Sequence, residues 1–198
     1  WLIGICKLNW VAGNTRVRLK QRKESMNIAD VIRNIPDFPK PGIQFKDITT
    51  LLLHPDAFRY VVDTFAQRYA DNSPDAIVGV ESRGFIFGSA LAYVMGVPFV
   101  PARKPGKLPG ETVKESFNLE YGTDAVEIHV DAIQPAARVL IVDDLLATGG
   151  TVTAVARLVE RLEATVMEAA FVVELPPLKG REKLAPLPVF SLVSFMVE

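Results

Sequence analysis

The chain has 198 residues, 49% of them hydrophobic, with 22 basic and 23 acidic side chains and a net charge of −1. That length suits one domain with a substantial core. The single Cys6 rules out an internal disulfide, the two histidines, His54 and His129, are too few for a zinc site, and no apolar run reaches the length of a membrane span, all of which fits a reducing cytoplasm.

The elements follow in chain order. Residues 1–25 hold six basic groups and one acid, Glu24, for +5, which leaves −6 on the other 173 residues. Basic arms of this kind occur as nucleic-acid or membrane tails and as targeting peptides. The plainer reading is an upstream or appended extension outside the core, with a single domain over 26–198 that binds neither nucleic acid nor membrane. Ile28, Val31, Ile32 and Ile35 recur at helical spacing and predict a helix ended by Pro36. Pro39, Pro41 and Gly42 predict a rigid turn leading to Phe45. His54-Pro55 opens a helix whose buried stripe is Phe58, Val61, Val62, Phe65 and Tyr69.

Ala76–Val80 reads as a buried strand, Gly84 to Met95 as a helix, and Phe99–Ala102 as a further strand after the turn at Gly96-Val97-Pro98. From Arg103 to about Asp131 the chain is polar and glycine-containing, with hairpin-like ends and a middle expected to be mobile. Arg138–Val142 is the expected central strand. A helix follows to Glu163, with Val152, Val155, Leu158, Val159 and Leu162 inward. Val166–Val173 and Val189–Val197 are the last expected strands. Strands alternating with helices predict an α/β fold: a central, mostly parallel sheet with helices on both faces. Ligands of such sheets bind beyond the carboxyl ends of strands, where Arg83, Arg103 and Asp143 fall.

The richest stretch is Val139–Thr151, V-L-I-V-D-D-L-L-A-T-G-G-T. A buried strand runs into Asp143 and Asp144, then into Ala147, Thr148, Gly149, Gly150 and Thr151 at a helix start. Glycines permit close backbone approach, amides at the helix start point at an anion, and hydroxyls add donors. Carboxylates repel phosphate but accept hydrogen bonds from a vicinal diol. A ribose 5-phosphate satisfies both halves of the motif. The loop is neither a Walker A loop nor a dinucleotide G-x-G-x-x-G.

This stretch resembles the diphosphate-sugar motif of type I phosphoribosyltransferases, which use phosphoribosyl diphosphate (PRPP). Other segments, in order, resemble the adenine-specific branch of that family: Pro36–Ile48, Glu81–Gly88, Arg103–Gly110, Asn118–Gly122 and Leu178–Leu184. The resemblance implies the type I fold with a flexible lid hairpin, and purine salvage: adenine plus PRPP gives AMP plus pyrophosphate. It implies Mg²⁺ arriving with PRPP rather than in a protein cage, and a homodimer, since in relatives the basic lid can reach the neighbouring subunit's site.

Site roles follow from the same resemblance. Ala147–Thr151 would hold the 5-phosphate, and Asp143 and Asp144 the ribose diol and the positive charge that grows on the ring. Ser82 and Arg83, at a strand end before a helix, would hold pyrophosphate. Many relatives carry Asp where Glu81 stands. Arg103, Lys104 and Lys107, among Pro105, Gly106, Pro109 and Gly110, would form a lid that excludes water. Phe45 would stack on adenine, the backbone groups of Gln44 and Lys46 would read its edge, and Leu145 would close the opposite ring face. Glu120 would take the imidazole proton as N9 attacks C1 of ribose, with Tyr121 supporting closure. Relatives acting on 6-oxopurines typically carry Asp at position 147, so Ala147 favours adenine. Two alternatives stand beside this reading. A PRPP-binding regulator usually carries a DNA-binding module, for which residues 1–25 are too short. A transferase for another base, such as hypoxanthine or orotate, is disfavoured by Ala147 and Phe45.

Overall fold

A computed structural model of the chain describes residues 26–118 and 123–196. A 3-10 turn over Ile28–Val31 leads into β1 (Arg33–Pro36) and β2 (Gln44–Asp47), then α1 (Thr49–Leu52) and α2 (Pro55–Arg68). Strand β3 (Ala76–Val80), helix α3 (Arg83–Met95) and strand β4 (Phe99–Ala102) follow, then β5 (Thr112–Asn118) and β6 (Thr123–His129). Strand β7 (Arg138–Leu146), helix α4 (Gly150–Arg161), strand β8 (Thr165–Glu174), helix α5 (Gly180–Leu184) and strand β9 (Val189–Ser194) complete the chain.

Five strands form one sheet in the order β4-β3-β7-β8-β9, parallel throughout. From β3 the chain winds outward to β4 and then returns to place β7 on the other side of β3. The winding direction therefore reverses between β3 and β7, and a crevice opens at their carboxyl ends. The uninterrupted apolar runs of β3 and β7 are fully buried on both faces, as a sandwiched parallel sheet requires. One face packs on α4 and the β5–β6 hairpin through Val139, Ile141, Val155 and Ile128. The other packs on α2 and α3 through Leu140, Val142, Phe65, Phe87 and Leu91. A buried ionic group ties α2 to β8: Arg68 reaches Glu168 through two bonds of 2.7 Å, and the Tyr69 hydroxyl donates to the same carboxylate at 2.6 Å.

The structure corrects three sequence expectations. The helix expected over Ile28–Pro36 is a single 3-10 turn followed by a strand. Ile32 already has extended backbone, and Ile35 precedes a proline, whose ring disfavours helical torsions at that position. The aspartates do not lie where the central strand leaves the core: β7 continues to Leu146, with Asp143, Leu145 and Leu146 still in register with β8. The sheet partner, not the hydropathy pattern, sets that strand's end. The hairpin is also not at the two ends of the long polar segment. Its strands are Thr112–Asn118 and Thr123–His129, and Arg103–Gly110 precedes them as a loop joined to β6 by one bridge, Arg103 to Glu127.

Candidate active site

The β1–β2 hairpin positions Phe45. Its partner across the ladder is Ile35, and Asp47 clamps its base by accepting from Arg33 Nε at 3.1 Å and from the Thr49 amide and hydroxyl at 2.9 and 2.8 Å. Those bonds, the Arg33 contact foremost, hold the Asp47 carboxyl down at about 2. The ring of Phe45 meets Phe38 edge-on at 5.2 Å. The Lys46 ammonium turns away from Phe45 onto Asn34 Oδ1 (2.9 Å) and over the Phe195 ring (4.6 Å). Strand β2 has no second strand partner among the described residues, so its outer edge is open to a ligand.

Phe45, Arg83 and the aspartate pair are neighbours. The Arg83 guanidinium lies 5.6 Å from the Phe45 ring centre, and its Nε stands 2.9 Å from Asp144 Oδ2. The angle of that contact does not make a hydrogen bond. Asp144 Oδ2 is therefore a buried acceptor with no hydrogen-bond donor among the described residues, on a side chain 3% exposed. Asp143 Oδ1 accepts from the Asp144 amide at 2.9 Å. Burial first, and then the negative charge of Asp144, push the Asp143 carboxyl well above its ordinary value. Burial also raises Asp144, against the pull of Arg83. A buried carboxylate oxygen that accepts no hydrogen bond fits a hydroxyl hydrogen or a hard divalent cation. Among the described residues no three His, Cys, Asp or Glu side chains converge as a metal site.

Helix α3 begins directly against this pair. A Cβ on Gly84 would lie 2.7 Å from the Val142 carbonyl and 2.8 Å from Asp143 Oδ1, so only glycine lets the Ser82–Gly84 turn meet β7. Neither Ser82 at the start of α3 nor Gly149 at the start of α4 caps its helix with a side chain, which leaves the first amides of each available to an anion. Gly149 takes a left-handed conformation (φ 76°), and its Cβ position is closed by the Gly180 carbonyl at 2.9 Å. Thr148 is exposed, Thr151 half-buried, and Ala147 lies against Gly180. Leu145 is half-buried on the core that also holds β9.

The basic segment has partners that the sequence pattern did not show. Glu81 accepts from the Lys104 amide (2.9 Å), Lys107 Nζ (2.8 Å) and Arg103 Nε (3.2 Å). Burial opposes ionisation of this carboxyl, but the Lys107, Lys104 and Arg103 bonds together hold it down at about 2. Lys104 Nζ pairs with Asp124 at 3.0 Å. Buried Glu127 accepts from the amides of Gly106 (3.0 Å) and Leu108 (3.3 Å), and the His129 ring meets the Pro109 carbonyl at 2.6 Å. The sequence reading placed Glu81 in the turn before α3 but not as the acceptor of the basic segment, and it did not point to Glu127 at all. Glu127 did carry a signal: it is a lone acid inside the apolar run A-V-E-I-H-V, Ala125–Val130. Glu120 and Tyr121, like residues 1–25, lie outside the described residues.

Residues 47–193 match the phosphoribosyl transferase domain family. Adenine phosphoribosyltransferase 1 of Triticum aestivum is 61% identical over 166 residues, covering 84% of this chain and 92% of its own. The chain belongs to the adenine phosphoribosyltransferase family. Solved structures agree with this membership. The adenine phosphoribosyltransferase of Thermoanaerobacter pseudethanolicus superimposes with a TM-score of 0.82 at 52% identity, over 85% of this chain and 98% of that one. The Saccharomyces cerevisiae enzyme, complexed with an imino-altritol bisphosphate and adenine, does so with a TM-score of 0.80 at 45% identity, over 84% and 96%. The type I fold expected from the resemblance is the observed one.

Proposed function

We propose that the enzyme transfers the 5-phosphoribosyl group of PRPP to adenine, giving AMP and pyrophosphate. The observation that carries this reading is the buried, unsatisfied Asp144 carboxylate beside a glycine loop with uncapped amides, at the point where the sheet reverses its winding. A hydroxylated sugar phosphate answers both needs in one molecule: its diol supplies hydrogens to Asp143 and Asp144, and its 5-phosphate takes the amides of Ala147–Thr151. N9 of adenine attacks C1 of ribose as the bond from C1 to pyrophosphate breaks. The ring carbon gains positive charge in that step, and two carboxylates held in low dielectric stabilise it without having to reorganise.

In this reading the base lies on Phe45, with Leu145 opposite, and the free edge of β2 at Gln44 and Lys46 reads its amino group. Ser82, Arg83 and the α3 amides serve pyrophosphate, and the nearness of Arg83 to the Phe45 ring and to Asp144 supports its lying beside base and ribose as well. Arg103, Lys104 and Lys107 neutralise the leaving group, and Glu120 accepts the adenine proton with Tyr121 nearby. Mg²⁺ would arrive with PRPP and would supply neutralising charge for the leaving pyrophosphate, with the Asp144 carboxylate as the oxygen donor that would hold it. A homodimer is supported by the outward face of α3, where Ile86, Tyr93 and Val94 are exposed beside the open edge of β4. No helix among the described residues is long and apolar enough to cross a membrane. A cytoplasmic site of action is part of the proposal, as is a core domain starting at Met26.

The deciding experiment incubates the protein with Mg²⁺, PRPP and one base at a time and follows nucleotide formation. AMP from adenine, with little or no product from hypoxanthine or orotate, is the expected result. Turnover of hypoxanthine above adenine, or none of any base, overturns the proposal.

A further inference from the structure

The cations expected to meet pyrophosphate already have acceptors, although Lys104 and Lys107 are exposed. Arg103 and Lys107 both converge on Glu81, at 3.2 and 2.8 Å, and the Lys104 amide donates to the same carboxylate at 2.9 Å. Glu81 follows directly on β3 and stands two residues before Arg83, so its carboxylate lies at the mouth of the turn assigned to pyrophosphate. An Arg fork, an ammonium and a backbone amide form a donor set that a phosphate oxygen would use equally well. Glu127 holds the rest of the loop through the Gly106 and Leu108 amides, so Glu81 is not needed to keep the backbone there.

We infer that Glu81 is an internal stand-in for pyrophosphate: a positioning residue that gathers Arg103 and Lys107 in the free enzyme and competes with the diphosphate for them. The inference rests on the reading of Arg103, Lys104 and Lys107 as the pyrophosphate-binding cations. Two consequences follow from the charge. The cations are already grouped when PRPP arrives, so little side-chain ordering remains to be done. After the transfer, Glu81 reclaims them as pyrophosphate leaves, which weakens product binding. A carboxylate within about 4–6 Å of a bound polyanion, partly exposed to solvent, alters its affinity by roughly three- to tenfold.

The test measures binding of pyrophosphate with Mg²⁺, by calorimetry and by product inhibition, to the wild type, Glu81→Gln, Glu81→Asp and Glu81→Ala. Loss of the charge in Glu81→Gln is expected to tighten pyrophosphate by about three- to tenfold. The KM for PRPP should fall in parallel, and the KM for adenine should stay put. Glu81→Asp, which keeps the charge, should bind like the wild type. Glu81→Ala gives the same sign as Glu81→Gln and serves if the glutamine variant fails to fold. A residue that only supports the loop would give weaker pyrophosphate binding in both neutral variants. That result, or unchanged affinity, overturns the inference. If the wild type makes AMP and binds pyrophosphate while the variants do not tighten, the inference alone falls. If the wild type does neither, the functional proposal falls as well.

Discussion

Two charged regions face one crevice and are prepared in opposite ways. At the end of β7 two carboxylates share one cation, Arg83: Asp144 Oδ2 is ion-paired to it but accepts no hydrogen bond among the described residues, and burial plus mutual repulsion favours the protonated form of Asp143. In Arg103–Gly110 every basic side chain has a fixed acceptor, Glu81 for Arg103 and Lys107 and Asp124 for Lys104, and Glu127 holds the loop backbone. The first region sits on the central strand of the sheet, where packing from both faces resists the repulsion. The second is a surface loop with no such support, where unpaired cations would repel one another. Rigid backbone can therefore present unsatisfied charge, while a loop needs internal counter-charges that a ligand later displaces.

The strongest way to break this contrast is to neutralise one carboxylate. Asp144→Asn is expected to lower kcat for AMP formation by roughly 10²–10³-fold, because an amide cannot stabilise a cationic ribose. Its thermal midpoint should stay level or rise, since the charge removed was unfavourable in the folded state. A large fall in midpoint would mean that the pair holds the fold together. Next in size is Gly84→Ala, whose methyl group would meet the Val142 carbonyl and the Asp143 carboxylate. Overpacking of this kind costs about 1–3 kcal/mol, and the loss should appear both in denaturant midpoint and in turnover. Wild-type values in both would show that the Ser82–Gly84 turn does not pack this closely on β7.

A smaller effect is expected from Glu127→Gln. The buried amide keeps one acceptor for Gly106 and Leu108, but its NH₂ replaces the oxygen that accepts from the Thr112 hydroxyl at 3.4 Å and must make that hydroxyl turn to accept, a cost of about 1 kcal/mol confined to the loop. Steady-state kinetics should show the KM for PRPP rising about fivefold with kcat less affected. The finest test is a sign difference in pH. The Glu81 carboxyl is depressed to about 2, so its stabilisation is present above pH 4.5, the ordinary value, and is lost as pH falls toward 2. Asp143 is raised, so the destabilisation it causes is absent below its ordinary value of 3.8 and grows as pH rises through the folded-state value. Thermal midpoints between pH 3 and 7 should show the advantage of the wild type over Glu81→Gln shrinking toward acid. The advantage of Asp143→Asn over the wild type should shrink in the same direction. Curves that diverge toward acid for either pair would contradict the charge assignment of that region.

Much of this was legible residue by residue. Ala76–Val80 and Phe99–Ala102 were readable as strands because buried parallel strands are apolar without interruption, and both occur with the expected bounds. The Asp143–Thr151 segment, from the end of β7 to the start of α4, was readable because its glycines, hydroxyls and acids are adjacent in the chain. The 28–36 segment was not, since four isoleucines and valines fit a helical stripe or a short hairpin equally, and only pairing of Ile35 with Phe45 decides between them.

By itself the sequence determined the alternation of strands and helices and the glycine-rich start of α4, because each is written in neighbours a few residues apart. The tertiary structure alone decided the partner of each charge: Glu81 meets residues 22 to 26 positions away, and Glu127 residues 15 to 21 away. Electrostatic pairing acts through space and leaves no period in the chain. An acid that binds substrate and an acid that restrains the cations around it are therefore indistinguishable until the sheet brings them to the same crevice.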